Sequence, residues 1–165
     1  AGPGAAGPGA GGPGGSGPGG SGPVAAGPAT VRAVVADDWS SGIAASLRAG
    51  LAAFDGEPDV TAVVVALADQ PLIGSAAVAR LIAARGAGTS AAVATYGGAA
   101  RNPVLLERSV WSDVAAAAHG DLGARVWLRA HPTLVTAVDC DGTGLPDDVD
   151  TPADLARVVE LLNED

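Results

Sequence analysis

Two short acidic segments carry residue types that could hold a metal and a phosphate. Asp69-Gln70-Pro71 closes an apolar run, and Asp148-Val149-Asp150-Thr151-Pro152 opens the last helix. The run ahead of the first, Val60 to Ala68, is continuous and β-branched, the pattern of a strand buried on both faces of a parallel sheet. A carboxylate after such a strand stands at its carboxyl end, where ligands bind in open α/β sheets, and if buried it needs a partner or a metal. The same tripeptide also suits a plain turn. In the second segment, two acids beside a helix N-terminus are favoured by the helix dipole alone. One of Asp148 and Asp150 is expected to be a ligand and the other to cap the helix or face solvent.

Other candidates gain meaning from their company. Gly120-Asp121-Leu122-Gly123-Ala124-Arg125 reads by itself as a capped helix start with a surface arginine, and Arg101-Asn102-Pro103 as a turn tripeptide. Trp39, Trp111 and Trp127 are scattered without regularly spaced basic neighbours, which favours packing over a stacking platform. His119 and His131 are too isolated for a zinc cage or a triad, and Ser46 has no nucleophile-elbow context.

The elements that must position these residues alternate. The pattern predicts a strand over 31–36, a helix capped by Ser40 or Ser41 with Ile43, Leu47, Leu51 and Phe54 at helical spacing, and the strand over 59–68. A second helix opens at Ser75 and stops near Gly86 and Gly88; Ala91 to Tyr96 is a strand, and Gly97 to Pro103 a loop leading into Val104-Leu105-Leu106. Glu107 to Ala118 reads as helix, Asp121 as the N-cap of a helix over 122–130, and Leu134 to Asp139 as a strand. In the last helix Thr151 is the N-cap, Pro152 takes the first position, and Leu155, Val158, Val159 and Leu162 form an apolar stripe. Alternating strands and helices imply an α/β fold, a mostly parallel sheet with helices on both faces.

Composition narrows the partners. Eighteen acids against nine basic residues, every one arginine, give a net charge of −9, which disfavours nucleic acid and anionic membrane. Half of the acids lie between Asp139 and Asp165, opposed by Arg157, so that end would repel a polyphosphate unless a divalent cation intervened. A single cysteine, Cys140, excludes an internal disulfide, and no apolar run reaches the roughly 18 residues of a membrane span. A cytoplasmic protein is the expectation.

Residues 1–30 are six five-residue units with Gly-Pro fixed in each. Proline at every fifth position bars helix, and nothing large is available to bury, so a disordered linker is expected there, with a single domain over 31–165. A phosphate-binding loop in this stretch would need a preceding strand, a following helix and a nearby cation, whereas the first basic residue is Arg32. The sequence starts at Ala1 and contains no methionine, which is expected of a processed chain or of a piece of a longer protein.

In order along the chain, five segments resemble the MobA-like nucleotidyltransferase family, most closely its molybdenum cofactor cytidylyltransferase branch. Asp38-Trp39-Ser40-Ser41-Gly42-Ile43-Ala44-Ala45-Ser46-Leu47 resembles the family's Trp-x-x-Gly-x-x-x-Ser-Leu segment, Asp69-Gln70-Pro71 its metal-carboxylate motif, and Arg101-Asn102-Pro103-Val104 its Gly-His-Pro segment, with Asn102 at the histidine position. Gly120 to Arg125 and Asp150-Thr151-Pro152-Ala153-Asp154-Leu155 complete the series, which spans about residues 33 to 160.

The resemblance implies a Rossmann-like fold, with Mg²⁺ and a nucleoside triphosphate, CTP rather than GTP, as ligands. The reaction it implies is transfer of CMP to molybdopterin with release of pyrophosphate, the product passing to a molybdoenzyme or its chaperone. It further implies that Asp69 and Asp150 hold the metal, that Gly42 and Ser46 lie against the nucleotide, and that Arg101, Asn102, Asp121 and Arg125 line the acceptor side. The family's opening strand and glycine-rich loop with its essential lysine have no counterpart here; the chain has no lysine, and the Gly/Pro repeat stands where they belong. This chain alone is therefore expected to be incomplete for catalysis and prone to self-association through an exposed sheet edge. Two further functions are compatible with the segments: a non-catalytic relative that delivers a nucleotide or pterin, and an oxidoreductase of the superfamily acting on a heteroaromatic pigment.

Overall fold

The computed structural model describes residues 30–86 and 88–163. Contacts divide the chain into Ala1–Arg32 and Ala33–Asp165, and every element below belongs to the second unit. The repeat, up to residue 29, lies outside the described residues.

The elements are α1 (Ile43–Ala52), β1 (Ala62–Val65), α2 (Ser75–Ala83), β2 (Ala91–Tyr96), β3 (Ala99–Glu107), α3 (Trp111–Ala117), α4 (Arg125–Ala130), β4 (Val135–Asp139) and α5 (Pro152–Asn163). They form an α/β fold around one four-stranded sheet of order β1-β3-β2-β4. β1, β2 and β4 share a direction, but β3 runs against them from between β1 and β2, so only the β2–β4 pairing is parallel.

The period-two alternation of the strands distributes the core to both faces. Val104 and Leu106 of β3 and Ala91 of β2 pack with Leu47 and Leu51 of α1, Trp111 and Val114 of α3 and Trp127 of α4. On the opposite face, Leu105, Ala92 and Ala94 pack with Ala77 and Leu81 of α2 and with Cys140 just past β4. Arg108 ties the connection after α1 to this frame, donating to the carbonyls of Glu57 and Val60 and lying 4.7 Å from the centre of the Trp111 ring.

Several expectations change. Residues 31–36 make no strand and are largely exposed. The strand expected over 59–68 shortens to Ala62–Val65 and is half-buried throughout, because β1 is an edge strand paired only to β3. Gly97 to Pro103 is not a loop: Gly97-Gly98 alone turns the chain, and β3 begins at Ala99. A proline inside a central strand is tolerated where the ladder breaks, and the register jumps there from Val93 opposite Val104 to Ala94 opposite Arg101, leaving Asn102 and Pro103 unpaired.

The helix expected over 107–118 is a short 3₁₀ turn followed by α3. Neither Ser40 nor Ser41 caps α1, which starts after Gly42. Nor does Asp121 cap its own helix, since α4 begins only at Arg125; its carboxylate instead accepts a hydrogen bond from Ile43 N–H at 3.3 Å and caps α1 from 78 residues away. In α5 the capping is as read, with Asp154 N–H donating to Thr151 Oγ1 and Thr151 N–H to Asp154 Oδ2. Of its apolar stripe, however, only Val158 is buried.

Candidate functional site

Two connections meet over the carboxyl ends of β1, β2 and β4. The chain after β1 and the chain after β4 are joined by Val149 N–H donating to the Asp69 carbonyl at 2.8 Å, by Leu145 N–H to the Leu72 carbonyl at 3.3 Å, and by an isolated antiparallel bridge between Ile73 and Gly144. The approach is so close that a Cβ on Gly144, at φ +139°, would run into the Leu72 carbonyl. Folding thus brings the two acidic segments of the sequence side by side.

Within this seam Asp69 is exposed, whereas Gln70 is buried. The half-buried strand therefore does not force the Asp69 carboxylate into a dry interior. Gln70 Nε2 donates to Asp148 Oδ1 at 2.8 Å and to the Pro146 carbonyl at 3.3 Å, while its Oε1 is buried without a partner. Gln70 and Asp148 line a polar cleft of about 210 Å³ together with Leu67, Arg101, Asn102, Arg125, Pro146 and Asp147. The break in the β3 ladder sits at this cleft and gives Arg101 and Asn102 their setting there.

The other sequence candidates fall around it. Asp121 lines a small adjoining cavity with Asn102 and Arg125. Gly42, at φ +107°, packs on the Gly120–Asp121 turn, where a Cβ would stand 2.5 Å from the Gly120 carbonyl carbon. Ser46 is apart from the cleft, in an apolar groove of about 310 Å³ between α1 and β1. Asp150 does not line the cleft: its N–H donates to Asp154 Oδ2 at 3.3 Å, which ties its backbone to the start of α5. Gln70 and Asp148 thus join the candidates. A glutamine next to a candidate ligand carries no signal of its own in the sequence, whereas Asp148 was legible as one of two acids ahead of the last helix.

Among the described residues no group of three histidine, cysteine or acidic side chains is gathered to hold a metal by itself. The donors present, Asp69 and Asp150 on adjoining segments and the bare Gln70 oxygen, are hard oxygens. Mg²⁺ and Mn²⁺ take such donors one or two at a time and complete their shell with substrate phosphates and water. Donors of this kind suit a cation that arrives with a phosphate, but neither Asp69 nor Asp150 lines the cleft.

Residues 19–135 match the family model of the MobA-like NTP transferase domain. Over 134 residues the chain is 35% identical to nicotine blue oxidoreductase of Paenarthrobacter nicotinovorans, covering 78% of this chain and 64% of that protein. Among solved structures it is similar to the Mycobacterium sp. strain JC1 homolog of Rv0371c, at 34% identity and a TM-score of 0.60, over 72% of this chain and 58% of that one. It is also similar to Rv0371c of Mycobacterium tuberculosis H37Rv in complex with manganese, at 33% identity and a TM-score of 0.57, over 70% and 60%. The chain thus spans less than two thirds of the length of each.

Proposed function

Since this chain belongs to the MobA-like NTP transferase domain family, we propose that its domain over 31–165 joins a nucleotide to a phosphorylated acceptor, with CTP as the donor, a molybdopterin-type pterin as the acceptor and a molybdoenzyme or its chaperone as the recipient, in the cytoplasm. The observation that supports this reading is the polar cleft, in which Gln70, Arg101, Asn102, Arg125 and Asp148 meet across the ends of three strands that share a direction.

In this reading Asp69 and Asp150 hold Mg²⁺, which when bound would neutralise phosphate charge as the acceptor attacks the α-phosphorus. The manganese named for the Rv0371c structure supports a divalent ion. Arg101 and Arg125 bind the acceptor's phosphate through charge-assisted hydrogen bonds, Asn102 donates and accepts beside them, and Asp121 fixes the turn that closes the acceptor side. Gly42 and Ser46 lie on the nucleotide side, and residues 1–30 serve as linker. Nothing among the described side chains supplies a lysine for the β- and γ-phosphates, so turnover by this chain alone is expected to be weak.

Isothermal titration with CTP and with GTP, in Mg²⁺ and in EDTA, tests the reading. Metal-dependent binding of CTP that Asp69→Ala abolishes supports it; a folded chain that binds neither nucleotide contradicts it. A second reading is favoured by the relative named nicotine blue oxidoreductase: oxidoreduction of a heteroaromatic pigment. Loss of the pigment's absorbance in the presence of NADH or NADPH, insensitive to EDTA, would select that reading.

A further inference from the structure

The two edges of the sheet differ. β4, at one edge, carries Thr136 and ends on the exposed acid Asp139. β1, at the other, is Ala-Val-Val-Val in unbroken register with β3, without the charge, proline or bulge that usually guards an open edge. Its outward hydrogen-bonding groups can be assigned. Arg108 N–H donates to the Thr61 carbonyl at 2.8 Å, which makes Thr61 and Arg108 a hydrogen-bonded pair of the antiparallel ladder. Alternation from that pair turns the N–H and C=O of Val63 and Val65 toward β3, and those of Ala62 and Val64 toward the open side.

Along this edge runs the apolar groove of about 310 Å³, with Ile43, Leu47 and Phe54 on one wall and Val63 and Val65 on the other. Ile43 is 48% exposed, and all four residues of β1 are half-buried. An occupant must therefore offer unpaired backbone and apolar side chains together. The repeat over residues 1–30 has a proline in every five residues and is poor material for a paired strand.

A second β1 meets both demands. Antiparallel pairing about a two-fold axis at Val63 sets Ala62 opposite Val64 of the second copy, so that each outward N–H finds an outward C=O. The period of two keeps the α1 faces of both copies on the same side, with Val63 against Val63 and one groove running into the other. In this register Asp59 comes opposite Leu67 of the second copy, and the acids Asp59 and Asp69 are kept from facing each other. A contact of this kind closes at two copies and leaves the guarded β4 edges outward.

We propose that the chain forms a two-fold dimer through β1, with Ala62 and Val64 pairing across the axis and the α1–β1 grooves covering each other. The proposal is independent of the nucleotide reading, since neither Ala62 nor Val64 lines the polar cleft.

Sedimentation velocity of the full chain from micromolar to submillimolar concentration, paired with amide hydrogen exchange, tests it. A monomer–dimer equilibrium is expected, with exchange at Ala62 and Val64 slowing as the dimer forms, while Val63 and Val65 are protected at every concentration. Val64→Pro removes an outward N–H and no bond to β3, so it is expected to keep the fold and weaken the dimer at least about tenfold. Gly50→Lys is a second variant: Gly50 lines the groove, a Cβ there meets nothing within 4 Å, and lysine suits a helix better than glycine. It is expected to fold and to weaken the dimer by placing a charge in the covered groove. A chain that is monomeric throughout, association without protection at Ala62 and Val64, or growth beyond two copies would each overturn the proposal. Protection gained over residues 31–36, the other exposed β-branched run, would put that segment on the edge and overturn it as well. So would either variant if folded by circular dichroism and associating like the parent.

Discussion

The polar cleft and the apolar groove adjoin at Leu67, which lines both, and they are built in opposite ways. The groove comes from one stretch of chain, residues 43–67, in which Leu47, Leu51 and Phe54 of the α1 region face Val63 and Val65 of β1; Ser46 is its one polar lining residue. The cleft comes from contacts between residues more than 70 positions apart: Val149 on Asp69, and Gln70 on Pro146 and Asp148. A groove assembled from neighbours along the chain needs little more than an amphipathic helix and a strand, and here it borders the unpaired edge of the sheet. A cleft assembled across the sheet exists only when the whole sheet does, and its polar groups sit near where backbone regularity fails, at the break in β3 and at the Gly144 approach.

Substitutions can break that comparison or sharpen it. The largest effect is expected from Leu106→Ala in the core beneath both regions, where the side chain is fully buried in the central strand β3. The loss should be about 2–5 kcal/mol in urea unfolding, with cleft and groove lost in the same transition. Gln70→Ala should separate them: it removes the donor to Asp148 and to the Pro146 carbonyl. About 1–3 kcal/mol of stability should go, with faster hydrogen exchange over 144–149 and unchanged exchange in α1.

Smaller effects follow. Asp121→Ala removes the acceptor for Ile43 N–H. It should cost about 0.5–1 kcal/mol and speed exchange at Ile43, coupling the end of the cleft to the start of the groove. Acid should act at the start of α5. The Thr151 hydroxyl, and next its N–H, hold the Asp154 carboxyl below its ordinary 3.8. Because the folded value is the lower one, Asp154 contributes its stabilisation above the ordinary value and loses it as pH falls through the folded one, so α5 should fray below about pH 4 by circular dichroism. Thr151→Ala should flatten that response. Ser46→Ala should stay within about 0.5 kcal/mol and leave the melting curve of the groove unmoved.

Legibility in the sequence divides along the same line. The groove's parts were readable because α1 and β1 are local patterns, and Ala91–Tyr96, Val135–Asp139 and the Thr151-capped α5 were readable for the same reason. What failed involved partners distant in sequence. β3 reads as a loop until β1 and β2 flank it, Asp121 reads as the cap of the next helix until α1 lies beside it, and 31–36 reads as a strand without a neighbour to pair with. The cleft was legible only as motifs in order, which named Arg101, Asn102 and Arg125 of its lining but not the buried Gln70 that holds Asp148. Burial likewise explains Cys140. Loss of water around its thiol pushes its pKa up, and it follows β4 as a small apolar group rather than a reactive one.

The central claim is that a divalent cation and a nucleotide meet where the connections after β1 and β4 are joined. Amide resonances of the chain, recorded with CTP while Mn²⁺ is added in small steps, test it most directly, because the paramagnetic ion broadens what lies near it. The account predicts broadening first at Asp69 and Gln70, at Asp148 to Asp150 and at Arg101 and Asn102, abolished by EDTA. Broadening that starts instead at Asp139 and Asp141, or spreads evenly over the acidic surface of α5, would contradict it.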